Sequence, residues 1–134
     1  MTQRRTELTD GFNELSGSVI GAAIEVHRHV GPGLLESAYV ECLGWELEQS
    51  GLRVARQVVV PLRYKSLRLP QAYRLDLLVD DRLIIEVKAV DKLMPIHDAQ
   101  LLTYLRLLDK RLGLLMNFNV DVMRKGIRRL ANGL

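Results

Sequence analysis

The sequence predicts a mixed α/β domain of the α+β type, in which helices flank a mostly antiparallel sheet. Apolar residues recur with helical periodicity in the first third of the chain, and short β-rich runs follow. A proline-initiated helical segment separates the last two of these runs. The predicted order is α-α-β-β-β-α-β. With 134 residues, we expect a single domain over residues 1–134, with flexible ends at 1–8 and 131–134.

The first two predicted elements are helices joined by a tight reversal. Between residues 8 and 30, apolar residues fall at three- and four-residue steps, which predicts a helix with one apolar face. Gly31-Pro-Gly33 ends this helix, because proline cannot continue the hydrogen-bond ladder and glycine permits a sharp turn. A second helix is predicted over residues 34–50, and Gly51 ends it.

The middle of the chain predicts the sheet. Three β-rich runs, at residues 54–62, 73–79 and 83–90, are expected to form consecutive antiparallel strands. Pro95 is expected to open a third helix that reaches about residue 108. The apolar face of that helix would consist of Ala99, Leu102, Leu105 and Leu108. A last strand at 112–118 would precede a short basic tail.

Cysteine content and hydropathy argue against a disulfide-bonded, membrane-spanning or secreted protein, and the charge is unevenly distributed. The net charge of +3 is unevenly spread, with three bases against eight acids in residues 1–50 and sixteen bases against eight acids afterwards. The single cysteine, Cys42, excludes an intramolecular disulfide and a multi-cysteine metal site. No apolar run approaches the about 18 residues of a membrane span, and the N-terminal residues lack the apolar core of a secretion signal. We expect a soluble cytoplasmic protein without a membrane partner.

Charged residues interrupt two predicted strands that are otherwise apolar. Asp76 lies in the second strand, and Glu86 and Lys88 lie in the third. Burial of such charges costs several kcal/mol unless they are paired or bound to a cation. Two carboxylates on adjacent strands, with a lysine on the same strand face as Glu86, suit Mg²⁺ or Mn²⁺. The alternative is a buried ion pair without a catalytic role.

The loop between the second and third strands decides whether the two carboxylates can share a cation. A two-residue loop of Asp80 and Asp81 would place Asp76 and Glu86 on opposite faces of the sheet. A three-residue loop that adds Arg82, or a bulge near Asp76, places them opposite each other on one face. We therefore predict a three-residue loop or a bulge.

The third helix offers polar residues to the same region. His97, Gln100 and Tyr104 are spaced at i, i+3 and i+7, so they share one helical face. Gln100 could orient a phosphate or a water, and Tyr104 could bind Lys88 or a phosphate. The alternative for each of the three residues is simple solvation at the rim of the helix.

Three residues of the first two helices have both a structural and a functional interpretation. Glu36 either stabilises a helix N-terminus, worth about 0.3–1 kcal/mol, or is a third acidic residue of the site. Tyr39, one turn further on, is expected in the core. A lone histidine beside an apolar stripe, such as His27, is more often a packing residue than a ligand.

As a set, these residues resemble a known family. Gly33-Leu-Leu-Glu36-Ser-Ala-Tyr39 matches the pattern that names the GxxExxY proteins, a branch of the PD-(D/E)XK nuclease superfamily. The other matching segments are Glu25-Val-His27-Arg, Gly31-Pro-Gly33, Tyr73-Arg-Leu-Asp76, Glu86-Val-Lys88, and His97-Asp-Ala-Gln100 followed by Tyr104. The resemblance covers residues from about 10 to 130.

The resemblance implies a restriction-endonuclease-like core and a metal-dependent nuclease that uses Mg²⁺ or Mn²⁺. It implies a metal site of Asp76, Glu86 and Glu36. The implied catalytic set is Glu36, Asp76, Glu86, Lys88, Gln100 and Tyr104, of which the last two are similar to the Q-x-x-x-Y element of the recombination-exonuclease branch. His27 and His97 are additional candidates for the site.

The expected partner is nucleic acid, with DNA preferred and RNA as the alternative. Because one small domain offers little contact area, a homodimer or a partner protein is also expected. The main candidates for phosphate contacts are Lys92, Arg124, Lys125, Arg128 and Arg129, and the wider basic set adds Arg53, Arg56, Arg63, Lys65 and Arg68. The alternative function is a non-catalytic module that keeps the nuclease fold to bind nucleic acid or protein.

Overall fold

The computed structural model describes residues 2–134, with side chains from residue 11 onward. Helix α1 covers Thr2–Val30 and helix α2 covers Glu36–Gln49. They precede strands β1 (Val54–Tyr64), β2 (Leu67–Val79) and β3 (Leu83–Lys88), helix α3 (Pro95–Leu107) and strand β4 (Leu112–Asn117). A 3₁₀ helix at Met123–Gly126 leads into strand β5 (Ile127–Ala131).

The five strands form one sheet in the order β1-β2-β3-β4-β5. Neighbouring strands are antiparallel except β3 and β4, which run parallel because α3 connects them as a crossover. The predicted fold class, a mostly antiparallel sheet flanked by helices, is confirmed. None of the described helices is both long and apolar enough to span a bilayer.

Each face of the sheet has its own apolar core. Helices α1 and α2 pack on one face against strand residues such as Leu77 and Ile85. Helix α3 packs on the other face, where Ile84 and Leu115 meet its side chains. Because both faces are covered, β3 and β4 are buried almost throughout, and a charged residue such as Glu86 is an exception that needs a physical reason.

Two predicted features of the sheet were wrong. The expected basic tail contains β5, which pairs with β4 at the edge of the sheet. Its two arginines, Arg128 and Arg129, are exposed, so this edge strand looks like a polar tail in the sequence. In addition, β2 begins at Leu67 rather than Tyr73. The pairing with β1 absorbs Pro70 through a register shift between Val60 and Leu62.

Helix boundaries and packing also differ from the prediction. Helix α1 begins at Thr2, earlier than the expected residue 8. Helix α3 packs through Leu101, Tyr104 and Leu105, whereas the predicted packing residue Ala99 is exposed. Its buried face is rotated because Tyr104, predicted on the polar face, lies largely in the core.

Flexibility of the chain ends stays a prediction. The side chains of residues 1–8 lie outside the described part of the structure. At the other end, Ala131 pairs with Leu112, and the side-chain amide of Asn132 donates to the Lys110 carbonyl at 3.0 Å.

Candidate functional site

The loop between β2 and β3 has three residues, which confirms the predicted register. Val79 pairs with Leu83, so residues 80–82 form the loop. Counted back along this register, Asp76 and Glu86 face each other on adjacent strands. The predicted three-residue loop is therefore present, and each carboxylate reaches the backbone of the other strand.

Beyond Leu77 and Ile85, hydrogen bonds between side chains and backbone amides join β2 to β3 in place of the backbone pairing. The Asp76 amide donates to Glu86 Oε1 at 2.8 Å, and the Val87 amide donates to Asp76 Oδ2 at 2.8 Å. Each carboxylate thus has one oxygen fixed by a backbone N–H group. The fold thereby sets the direction of both side chains before any ligand arrives.

Burial disfavours ionisation of both carboxyl groups. Glu86 is only 6% exposed, and burial, followed by the charge of Asp76, raises its pKa to about 8. The pKa of Asp76 is also raised, mainly by burial. Near neutral pH the pair therefore holds a proton in the place that a cation would take. Two adjacent, backbone-oriented carboxylates of this kind fit a hard divalent cation.

Lys88 lies half-buried, two residues beyond Glu86 on the same strand face. Its charge lowers the pKa of both carboxyl groups, yet it forms no ion pair within 4.0 Å anywhere in the described chain. Lys88 therefore influences the pKa of the two carboxyl groups from more than 4.0 Å away, without direct contact. An ammonium group in this position is free to contact a phosphate or a water.

Asn117 holds the end of β3, although the sequence analysis did not single it out. It pairs with Lys88 in the parallel register and is buried. Its side-chain oxygen accepts from the Val90 amide at 3.0 Å, and its nitrogen donates to the Val90 carbonyl at 2.8 Å. The feature of the sequence that could have identified Asn117 is its position as the polar last residue of an otherwise apolar strand.

Gln57 is a second neighbour of the site that was not predicted. It lies on β1 between two paired positions, opposite Asp76. Its φ angle of 50° is unusual for a residue other than glycine. A hydrogen bond from its side chain lowers the pKa of Asp76. A single glutamine in a β-rich run carries no signal of this kind, since strands commonly expose polar residues.

Glu36 begins α2 and is exposed. Its charge raises the pKa of Asp76 and of Glu86, so it lies within electrostatic range of both. The described residues contain no group of three acidic, histidine or cysteine side chains arranged to hold a metal. The structure thus brings Asp76 and Glu86 together and leaves Glu36 as a neighbour, so the predicted set of three carboxylates is not assembled.

Tyr39 fixes the loop that precedes Glu36. It is fully buried, as expected, and its ring stacks on Phe118 with centroids 4.6 Å apart. Its hydroxyl donates to the Gly31 carbonyl at 2.6 Å and accepts from the Leu34 amide at 3.0 Å. The two loop glycines have φ angles of 65° and 103°, which glycine adopts without strain.

We expect Tyr39→Phe to lower the free energy of unfolding by about 1–3 kcal/mol, because two backbone groups lose a partner on the protein. Urea unfolding measures this difference. Tyr64→Phe is the matched control, since Tyr64 is 61% exposed, and it should change stability by less than about 0.5 kcal/mol. Equal effects of the two substitutions would show that the Tyr39 hydroxyl does not hold the loop.

On α3, Tyr104 lies within electrostatic range of both carboxylates. Burial, followed by the charge of Glu86, raises the pKa of Tyr104 to about 12. Gln100 is exposed on the same helix. His97 Nδ1 accepts from the Met94 amide at 2.9 Å and so caps the start of α3. The shared face thus consists of one residue near the site and two at its rim.

His27 has a structural contact away from the carboxylates. It is buried, and its Nε2 lies 2.7 Å from the Val120 carbonyl oxygen. This hydrogen bond ties α1 to the segment that follows β4. The structural interpretation of His27 accounts for the contacts that the structure shows.

The predicted phosphate contacts near the C-terminus are partly engaged within the protein. Lys125 and Arg128 each pair with an aspartate, at 3.3 and 2.6 Å. Arg129 donates to an asparagine side chain of α1 at 2.8 Å. Lys92 and Arg124 form no ion pair within the described residues, and both are exposed.

Comparison with known proteins adds one finding. The family model of the PD-(D/E)XK nuclease superfamily matches residues 13–130, which include every residue of the candidate site. Neither the curated proteins nor the solved structures contain a significant match.

Proposed function

The chain belongs to the PD-(D/E)XK nuclease superfamily, and on this premise we propose that it hydrolyses phosphodiester bonds of DNA. Its mixed fold is consistent with the restriction-endonuclease-like fold of that superfamily. Nucleases of this superfamily typically use divalent metal ions. The observation that carries the proposal is the facing pair of Asp76 and Glu86, with Lys88 beside it.

In this proposal Asp76 and Glu86 hold Mg²⁺ or Mn²⁺, and Glu36 contributes from the edge of the site. A bound cation supplies a water of lowered pKa and polarises a phosphoryl oxygen. The Lys88 ammonium group holds the attacking water or offsets the charge that develops on the phosphate.

Helix α3 would orient the substrate. Because the pKa of Tyr104 is raised to about 12, its hydroxyl keeps its proton and can donate to a phosphate oxygen. The exposed side chain of Gln100 offers a second donor at the rim. We assign His97 and His27 to positioning, since each contacts a backbone group: His97 caps α3, and His27 tethers α1.

Within the superfamily, we propose membership of the GxxExxY branch. The support is structural: Gly33 permits the turn, Tyr39 fixes the loop, and Glu36 lies within electrostatic range of the carboxylate pair. Lys92 and Arg124 are the proposed phosphate contacts, because within the described chain Lys125 and Arg128 form ion pairs and Arg129 donates to an asparagine. We also propose that the protein acts in the cytoplasm. A second copy of the chain or a partner protein would widen the area that contacts nucleic acid.

The test is a cleavage assay on circular, linear and single-stranded DNA and on RNA, with Mg²⁺, with Mn²⁺ and with EDTA. Wild type should cleave DNA only when metal is present, and Asp76→Asn should be slower by roughly 100-fold or more. Asp109→Asn is the control, because Asp109 is exposed and asparagine tolerates its φ angle of 53°. Absence of wild-type cleavage on all four substrates would favour a binding module that keeps the nuclease fold.

A further inference from the structure

Strands β1 and β2 extend beyond the carboxylates as a two-stranded ribbon, defined here as residues 58–75. Strand β3 pairs with β2 only at Leu77–Val79, so no third strand covers the ribbon. The stretch from residue 49 to residue 75 contains no acidic residue. Its basic residues are Arg53, Arg56, Arg63, Lys65, Arg68 and Arg74.

Two of these arginines face each other across the ribbon. Arg63 and Arg68 are direct cross-strand partners. Like charges in such positions destabilise a sheet. Neither arginine forms an ion pair within the described residues. The repulsion between the two arginines is therefore not relieved inside the protein, and a bound anion would relieve it.

Both arginines line a groove of about 480 Å³ between the ribbon and the end of α3. The groove is otherwise apolar, with Pro61, Leu69, Pro70 and Leu107 among its lining residues. A nucleotide combines the two chemistries that this groove presents. Its phosphate is an anion that arginine binds through two hydrogen bonds, and its base has apolar faces.

A contact between two tyrosines joins the ribbon to the vicinity of the carboxylate pair. Tyr73 of the ribbon is 40% exposed, and its ring centroid lies 5.7 Å from that of Tyr104. Tyr104 in turn is within electrostatic range of Glu86. The ribbon that carries the two arginines therefore also contacts a neighbour of the proposed site of cleavage.

We propose that this groove binds one nucleotide of a single nucleic-acid strand, next to the phosphate that is cleaved. Arg63 and Arg68 contact its phosphate, and the prolines and leucines contact its base. A single strand fits the groove better than a duplex, because its base is free to leave the stack and enter. This inference rests on the proposed function, which it extends by naming the form of the substrate.

The test measures binding without cleavage, by fluorescence anisotropy of labelled single-stranded and duplex DNA in EDTA. The double variant Arg63→Gln/Arg68→Gln should bind the single strand at least fivefold more weakly than wild type. Loss of the phosphate contact that the two arginines share should also reduce the slope of log K against log salt by about 0.7. The control Arg82→Gln/Arg111→Gln removes two exposed charges at the start of β3 and β4, the end of the sheet away from the ribbon, and should change the affinity less than twofold.

Unfolding temperature, the affinity of the control variant and self-association distinguish the alternatives to this proposal. Unfolding temperature should be unchanged or higher in Arg63→Gln/Arg68→Gln, because like charges are removed. Equal loss of affinity in both double variants would overturn the proposal in favour of general charge attraction. Self-association that depends on Arg63 and Arg68, without binding of DNA, would instead assign the groove to a second copy of the chain.

The cleavage assay distinguishes this inference from the proposed function. If wild type binds the single strand through the two arginines but does not cleave, the nuclease proposal fails and the groove proposal stands. If Arg63→Gln/Arg68→Gln binds and cleaves like wild type, the groove proposal fails and the nuclease proposal stands.

Discussion

Glu86→Gln should abolish metal-dependent cleavage and, at the same time, stabilise the metal-free protein at pH 8. The loss of cleavage, roughly 100-fold or more, follows from the loss of one of the two charges that hold the cation. Glutamine keeps an oxygen that can accept from the Asp76 amide, so the contact between β2 and β3 is retained. The variant therefore changes charge with little change in shape.

The stabilisation follows from proton linkage. The pKa of Glu86 is about 8 in the folded protein, against an ordinary value of 4.5. The folded state binds this proton more tightly than the unfolded state does. The proton therefore stabilises the folded protein fully below pH 4.5, and this stabilisation is lost as the pH rises towards 8. The free energy of unfolding should fall by about 4 kcal/mol over this pH range. Glutamine carries no ionisable group and escapes this loss.

Chemical unfolding in EDTA at pH 5 and pH 8 measures the effect. Wild type should be less stable at pH 8 than at pH 5, and Glu86→Gln should show a much smaller change. Added Mg²⁺ should restore wild-type stability at pH 8 and leave the variant unaffected. Glu14→Gln, at an exposed position of α1, should follow wild type. Wild-type stability that stays constant between these pH values would refute the buried, protonated state of Glu86.

Lys88→Met should reduce the maximal rate of cleavage roughly 100-fold or more, while Mn²⁺ binding changes by no more than about threefold. The reason is that Lys88 lies beside the carboxylates without an ion pair to either, so its charge serves the substrate more than the metal site. Methionine keeps much of the length of the side chain and removes only the ammonium group.

Single-turnover cleavage at saturating Mg²⁺ and Mn²⁺ titration separate these two effects. Lys110→Met is the control, since Lys110 pairs with Asp81 at 3.2 Å near the loop between β2 and β3 and such pairs contribute little. Its cleavage rate should equal that of wild type. A Lys88→Met variant that loses metal binding in parallel with activity would place Lys88 in the metal site instead.

Local patterns predicted those parts of the fold that depend on neighbouring residues. The break at Gly31-Pro-Gly33 requires only the backbone preferences of proline and glycine. The facing positions of Asp76 and Glu86 required only the two-residue period of a strand and the requirement that both charges share a face. This is why the sequence predicts either a three-residue loop at 80–82 or a bulge near Asp76, of which the loop is present.

Tertiary packing decided the features that were missed. The distance from Glu36 to the carboxylate pair depends on how the turn before α2 packs against the sheet. Residue spacing in the sequence does not predict this distance. Gln57, which lowers the pKa of Asp76, has a positive φ angle in β1 that its residue type does not indicate. Strand β5 was missed because an edge strand buries little, and the exposed Arg128 and Arg129 make it look like a basic tail.

The most direct test of the central claim, that Asp76 and Glu86 together hold a divalent cation, is calorimetric titration with Mn²⁺ at pH 7 in two buffers of different ionisation enthalpy. We expect one site in wild type, with release of about one proton per ion as Glu86 ionises. Asp76→Asn can still accept from the Val87 amide, so it should fold and bind no Mn²⁺ at this site. Absence of Mn²⁺ binding in wild type, or equal binding in Asp76→Asn, would contradict the claim.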